Sequence, residues 1–383
     1  MSTPTIVRSC APGRTELAGN HTDHQGGCVI AAAISCDVYM EAQPNGTSEA
    51  HVESEGFPAF SIDLTSDLPR AEEVNTTAAL VRGIVAGMRA LGVRVGGFDL
   101  RVRSTVPSGG GLSSSAAFEL ALAWALLGLD GLGDADVMPD DLAVRLAKVG
   151  QVAERDWFGK SCGLMDQLAV ALGGVCAMDF SQESPSIERL DFDFSQCGYA
   201  LCLVDTHCDH SRYTHEYSQV PRDMAAVAAF LGEKTLSQVG ENAFRSRFAE
   251  VRATLGDVPA LRALHYFHES RLVDARADAL RRGDFDAFLH YTRMSGASSA
   301  QYLQNVSVFN RESQPAMIAL GVVDALLAGE GACRIHGGGF GGTIQAFVPL
   351  PLLETFNSDV DELLGKGSCQ VYQVGCEGAR LVC

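Results

Sequence analysis

The sequence predicts an α+β fold in two domains. Three observations carry that expectation: a chain of 383 residues, helical and strand periodicities that alternate in its first half, and a helical stretch followed by β-type runs in its second. At roughly 150 residues per domain, a chain of this length exceeds what one core supports. Residues 1–185 read as an N-terminal domain with a mixed sheet. Residues 186–383 read as a C-terminal domain of helices and an antiparallel sheet, with a last strand, 378–383, that can return to the first domain.

Each element has its own signal. Short β-type runs open the chain, after which Leu80, Ile84, Met88 and Leu91 recur at helical spacing and Gly92 stops the helix. Residues 98–105 alternate Phe98, Leu100 and Val102 with Asp99, Arg101 and Arg103, the period of a strand with one wet face. Residues 113–127 are almost uniformly apolar and rich in Ala and Leu, which suits a helix buried on nearly all sides. A further helix is predicted from about Pro139 to Trp157, with proline in its first turn. Residues 181–195 are polar and lack a helical period, as a crossover between domains would be. A strand at 199–205, helical segments to about Leu327, and β-type stretches at 334–335, 343–348 and 370–374 complete the second domain.

Composition narrows the function. Lys plus Arg number 29 against 47 for Asp plus Glu, and the formal charge of -18 repels phosphate backbones and anionic membrane surfaces. No nucleic-acid or membrane partner is therefore expected. Twelve cysteines occur with no C-x-x-C pair, which reads as free thiols in a reducing, cytoplasmic setting. The first residues lack an apolar signal core, and no run reaches the length of a membrane span. No motif sets an oligomeric state.

The strongest local feature is Pro107, Ser108, Gly109, Gly110, Gly111, Leu112, Ser113, Ser114 and Ser115, lying between the 98–105 strand and the buried helix. Three glycines let backbone N–H groups close around an anion, and the helix that follows aims its positive end at it. The loop is no Walker A sequence, since it has no G-K-S or G-K-T and no nearby lysine. Charge neutralisation is therefore expected from Mg²⁺ and the helix end, with a Ser hydroxyl such as Ser115 and a carboxylate from a neighbouring helix as ligands. A second glycine-rich segment, Gly337, Gly338, Gly339, Phe340, Gly341 and Gly342, matches G-x-G-x-x-G but follows a very short strand and leads into another. A turn lying against a ligand fits it better than a dinucleotide site, with a purely structural turn nearly as good a reading.

Near the N-terminus, Gly19, Asn20, His21, Thr22, Asp23 and His24 form a polar cluster that suits a polyhydroxylated ligand, while a metal site is the lower-ranked alternative. Further on, Cys162, Gly163, Leu164, Met165, Asp166 and Gln167 place one acid at the start of a short helix ending at Gly173 and Gly174. For a lone Asp, dipole stabilisation of a helix start is the usual explanation. The phosphate-type loop and the polar cluster raise a second one, a group that accepts or positions a hydroxyl proton in phosphoryl transfer.

Together these segments resemble the galactokinase family within the galactokinase, homoserine, mevalonate and phosphomevalonate kinases. The resemblance rests on Pro12-Gly13-Arg14 through His21-Thr22-Asp23, the 107–116 loop, Cys162 to Gln167, Glu216-Tyr217, and the 337–342 glycines, in family order across nearly the whole chain. It implies a two-domain small-molecule kinase using ATP and Mg²⁺, with Asp166 as the catalytic acid residue and Arg14 as its electrostatic partner. It further implies sugar contacts from Asn20, His21, Asp23, Gly163 and Tyr217, and Mg²⁺ association for Ser115 and Glu154. Departures are Asn20 for the family's glutamate, His24 for its tyrosine, Thr15-Glu16 for Val-Asn, and His336 for a small hydroxyl residue. The expected activity is phosphorylation of a monosaccharide, galactose first, at its anomeric hydroxyl. The alternatives are a kinase for an amino sugar, a uronic acid or a pentose, and a non-catalytic sugar and ATP sensor.

Overall fold

The computed structural model describes residues 6–107, 110–131, 139–160, 162–208 and 213–382, with Pro139 described by its backbone alone. The chain runs β1 (Val7–Ala18), β2 (Cys28–Pro44), β3 (Glu49–Ser54), β4 (Phe60–Asp63), α1 (Thr77–Ala90), β5 (Phe98–Ser104), α2 (Ser114–Leu129), α3 (Pro139–Val152), α4 (Met165–Leu172), β6 (Val175–Asp179) and β7 (Ser186–Arg189). There follow β8 (Tyr199–Asp205), α5 (Thr214–Phe230), the short helices α6 (Leu236–Val239), α7 (Glu241–Ser246) and α8 (Phe248–Leu255), and the long helices α9 (Asp257–Arg281) and α10 (Phe285–Ser298). The chain ends α11 (Pro315–Leu327), β9 (Ala332–Ile335), β10 (Thr343–Pro349), α12 (Leu353–Leu364), β11 (Cys369–Tyr372) and β12 (Arg380–Val382).

An eight-stranded mixed sheet follows the order β12-β1-β2-β5-β3-β4, with β6 and β7 continuing from the other part of β2. Its one parallel pair among the described residues is β3 with β5. The second sheet, β11-β8-β10-β9, is antiparallel throughout. The mixed and antiparallel sheets are those the sequence predicts. The opening runs, however, are two long strands rather than short ones, β1 of 12 and β2 of 17 residues. The polar 181–195 stretch also holds the short strand β7, whose edge position beside β6 leaves most of its side chains wet and erases the apolar alternation.

Why these segments take these forms is readable in their packing. Helix α2 is buried on all sides, between the sheet and α1, α3 and α4, so it carries no polar face. Helix α3 stops at Val152, and residues 153–158 open into a wider π-type turn that turns Glu154 inward. Strand β1 carries register shifts between Pro12 and Gly13 and between Glu16 and Ala18. Such irregularities re-aim side chains, and Arg14 lies between them. A second core joins β8 to β10 with α11 and α12, and a third joins α5, α8 and α9. No helix among the described residues is long and apolar enough to cross a membrane.

Candidate active site

The loop that precedes α2 is shaped by what holds its carbonyl groups. Gly110 O accepts from Thr343 Oγ1 at 3.4 Å, Gly111 O from Arg14 Nη1 at 2.6 Å, and Leu112 O from the Arg14 backbone N–H at 3.2 Å. No backbone carbonyl among the described residues accepts the N–H groups of Leu112, Ser113, Ser114 or Ser115. With carbonyls drawn back and N–H groups unclaimed at the positive end of a buried helix, the loop is an anion cradle. Ser113 takes a left-handed conformation, φ 59°, and its hydroxyl donates to Asp166 Oδ2 at 2.6 Å instead of capping α2. Pro107 stands exposed at the loop entry. Gly109 lies outside the described residues.

Asp166 sits in the first turn of α4, where the helix dipole favours its charge. Arg14 Nε donates to its Oδ1 at 2.8 Å. Burial opposes ionisation, but the Arg14 charge and hydrogen bond, the Ser113 hydroxyl and the Lys160 charge outweigh it and hold the carboxyl below its ordinary range. The Asp166 side chain remains 32% exposed, so a ligand can reach it.

Beside it, Glu154 Oε1 accepts from Ser115 Oγ at 3.0 Å and from Lys160 Nζ at 2.7 Å, and Oε2 accepts from Gln167 Nε2 at 3.0 Å. The same Gln167 nitrogen reaches Glu119 Oε2 at 3.1 Å. Burial, and then the Glu154 charge, push the Glu119 carboxyl well above its ordinary value. Sequence reasoning found no lysine near the loop. The turn at 153–158 brings Lys160 there, and no local motif marks it.

On the other side of Asp166 lie the residues of the polar cluster. Gly163 is exposed, and a Cβ there would stand 2.5 Å from Asp23 Oδ2, so any larger residue would displace that carboxylate. Burial, and secondarily Asp166, raise the Asp23 carboxyl to about 6. The His21 ring lies 5.5 Å from the Tyr217 ring, whose other contact is Gly338, where any Cβ would enter the ring. His21 Nε2 faces the Gly338 carbonyl at 3.0 Å and must donate to it, leaving Nδ1 to accept from His24 Nε2 at 3.2 Å. Burial keeps His21 uncharged by lowering it to about 3.

Asn20 is wholly buried behind this wall. Its amide donates to Gly337 O, and its oxygen accepts from Asn305 Nδ2 at 2.9 Å and Ser299 Oγ at 3.2 Å. The glycines 337–342 form the turn between the antiparallel strands β9 and β10, so this segment is no dinucleotide loop. Gly339 packs on Asn305 and Gly341 on Cys208. Ser299 and Asn305 were not legible in sequence, because they reach the site at the start of and just after a second π-type turn, Ser299–Leu303, that no periodicity marks.

Comparison with known proteins fits this geometry. The GHMP kinases N terminal domain matches residues 78–174, the stretch that builds the cradle, Glu154 and Asp166. The chain is thus a small-molecule kinase of the GHMP class. The galactokinase galactose-binding signature matches residues 2–44, which hold Arg14 and the polar cluster. A galactokinase of Thermotoga neapolitana is 29% identical over 340 residues, 88% of each chain. The chain thus carries both a GHMP kinase domain and a galactokinase galactose-binding signature, and its likeness to galactokinases runs over most of its length. Two solved structures share its fold: a Lactococcus lactis galactokinase complexed with galactose (TM-score 0.81, 23% identity, 98% of this chain and 94% of that one) and an L. major mevalonate kinase in complex with R-mevalonate (0.66, 16%, 99% and 100%).

Proposed function

We propose that the protein transfers the γ-phosphoryl group of ATP to the anomeric hydroxyl of galactose, with Asp166 as the catalytic carboxylate. The observation that carries this reading is an Asp166 held ionised by Arg14 and Ser113, between an anion cradle on one side and Asp23, His21, Gly163 and Tyr217 on the other. A carboxylate of lowered basicity does not strip a sugar hydroxyl early. It orients the hydroxyl and accepts its proton late, once the new P–O bond has formed, which suits the loose transition state of phosphoryl transfer. Arg14 links the two halves, because the guanidinium that holds Asp166 also holds Gly111 of the cradle.

In this reading the loop residues Pro107, Gly109, Gly110, Gly111, Leu112, Ser113, Ser114 and Ser115 receive the ATP phosphates. The Ser115 hydroxyl and the Glu154 carboxylate are hard oxygen donors that fit Mg²⁺. No cluster of three or more His, Cys, Asp or Glu suited to a metal occurs among the described residues, as befits an ion that takes most of its ligands from phosphates and water. Ser115 and Glu154 would hold Mg²⁺, which when bound offsets the charge of the transferred phosphoryl group. Asp23, His21, Tyr217 and Gly163 line the sugar pocket. Asn20, with its amide bonded inside the protein, acts on the sugar through the glycine turn at 337–338.

A second reading, a kinase of the same fold for an amino sugar, a uronic acid or a pentose, is favoured by Asn20, an amide where the family carries an acid. ADP release measured with galactose and with a panel of these sugars separates them. Galactose should turn over fastest. No turnover with galactose but turnover with another sugar moves the assignment to that sugar. Calorimetric binding of ATP and sugar with no product formed replaces the kinase by a sensor.

A further inference from the structure

Three of the departures from the family pattern, the neighbours Thr15 and Glu16 on β1 and His336 some 320 positions later, meet in one buried seam between β1 and the β9–β10 turn. At its centre is His336, 4% exposed, with its ring against Gly111 of the cradle. The hydrogen-bond chemistry around this ring admits one arrangement. The Glu16 backbone N–H points at Nε2 at 3.4 Å and can only donate, so Nε2 is the acceptor. Thr15 Oγ1, which itself accepts from Gln345 Nε2 at 2.8 Å, is free to donate its proton to the same Nε2 at 3.1 Å. The ring proton is then on Nδ1, which donates to Thr343 Oγ1 at 3.0 Å. The Thr343 hydroxyl passes its own proton on to Gly110 O at 3.4 Å.

The result is a one-directional chain of donors: Gln345 to Thr15, Thr15 to His336, His336 to Thr343, and Thr343 to the Gly110 carbonyl. It begins on β10, crosses to the strand that carries Arg14, returns through His336, and ends on the cradle. Each member is buried except Gly110. A small hydroxyl residue at 336 would leave this chain without its middle, since a hydroxyl cannot span from Thr15 to Thr343.

We infer that His336 is a positioning residue for the nucleotide: with Thr343 it fixes the Gly110 carbonyl, and so the aim of the cradle's N–H groups, relative to Arg14. Arg14 fixes the next two carbonyls of the loop, so three successive carbonyls are set from the seam and none from within the loop. A neutral ring is required, because a second ring proton would confront the Glu16 N–H. Burial, with Arg14 and Arg334 nearby, supplies that neutrality by pushing the ring well below its ordinary value, against the opposing pull of Asp166.

This inference rests on the reading of the 107–115 loop as the nucleotide site. The test is steady-state kinetics of the full chain with ATP and galactose, or with the best sugar of the panel. His336→Leu and Thr343→Val should each raise the KM for ATP about five- to tenfold, the worth of one lost hydrogen bond, while the sugar KM moves less than about twofold. Thr343→Ser, which keeps the hydroxyl, should restore the ATP KM to within about twofold of wild type. The double variant should lose no more than the worse single one, because both substitutions cut one chain. Parallel losses toward ATP and sugar, additive losses in the double variant, or an unchanged ATP KM in folded Thr343→Val would overturn the inference. Should His336→Leu fail to fold, the Thr343→Val and Thr343→Ser pair decides. A wild-type chain without ATP turnover defeats the site reading itself, an outcome distinct from all of these.

Discussion

Asp166 and Asp23 are two carboxylates on one cleft with opposite environments. Asp166 is held low because Arg14, Ser113 and Lys160 outweigh its burial, while Asp23 is raised to about 6 by burial and by Asp166. Asp166→Asn keeps the shape and removes the proton acceptor. It should lower kcat by about 10²- to 10⁴-fold and leave the sugar KM within a few-fold. A near-normal kcat would remove Asp166 from the chemistry. Asp23 gives a pH prediction. Its folded-state value lies above the ordinary 3.8, so it ionises only as pH rises through about 6, and kcat/KM for the sugar should climb between about pH 5 and pH 7. Asp23→Asn should flatten that limb, and a limb that survives the substitution belongs to another group. At this scale the sequence was informative about Asp166 only through company, since one acid at a helix start is usually no more than that.

Elements deliver these side chains, and the devices they use are mostly irregular. Strand β1 turns Arg14 toward the loop between two register shifts, and the π-type turns at 153–158 and 299–303 supply Glu154 and Ser299. Regular elements were legible: α1, β5, α2, α4, β8 and β10 lie where periodicity and glycine stops put them, because a face buried along its length repeats in the sequence. Turns that break the period were not. The close passage of the 162–164 segment past Asp23 offers a test. Gly163→Ala would set a methyl 2.5 Å from Asp23 Oδ2, so one of the two must move. The sugar KM should rise at least tenfold, with the ATP KM far less affected. Equal changes in both would show that the whole site, rather than the sugar side, depends on this passage.

Across the molecule, the seam between the sheets is held by buried ions. Arg334 Nη2 meets Glu16 Oε1 at 3.0 Å across it, while on α9 Arg276 meets Glu269, a pair with no exposure on either side chain, and Arg276 also donates to the Leu17 carbonyl of β1. Glu269 also accepts from the Gly19 N–H at 3.0 Å and from Ser295 Oγ at 3.0 Å, so α9 grips the start of the polar cluster. Burial works against the Glu269 charge, but Arg276, then His265 and Arg334, and the Gly19 N–H bring it down to about 2. A folded value below the ordinary 4.5 stabilises the fold above that pH, and the contribution is lost as pH falls toward 2. Glu269→Gln leaves Arg276 buried without its counter-charge and should cost about 3–5 kcal/mol near neutral pH. In denaturant titrations, the gap to wild type should narrow as pH drops from about 4.5 toward 2. A gap independent of pH would mean that shape, not charge, is what Glu269 supplies.

The sequence by itself determined the two sheets, the buried helix behind a glycine-rich cradle, and the likeness to galactokinases, because burial periodicity and short glycine- and polar-rich motifs are local. Only the tertiary structure decided what joins them. Lys160 comes to the loop through a widened turn, Asn20 is bonded to Asn305, and His336 stands between Thr15 and Thr343. Asn20 with Asn305, and Thr15 with His336, come from opposite ends of the chain. A hydrogen bond between residues hundreds of positions apart leaves no period and no spacing to read; it exists only once the sheets have set both ends in place.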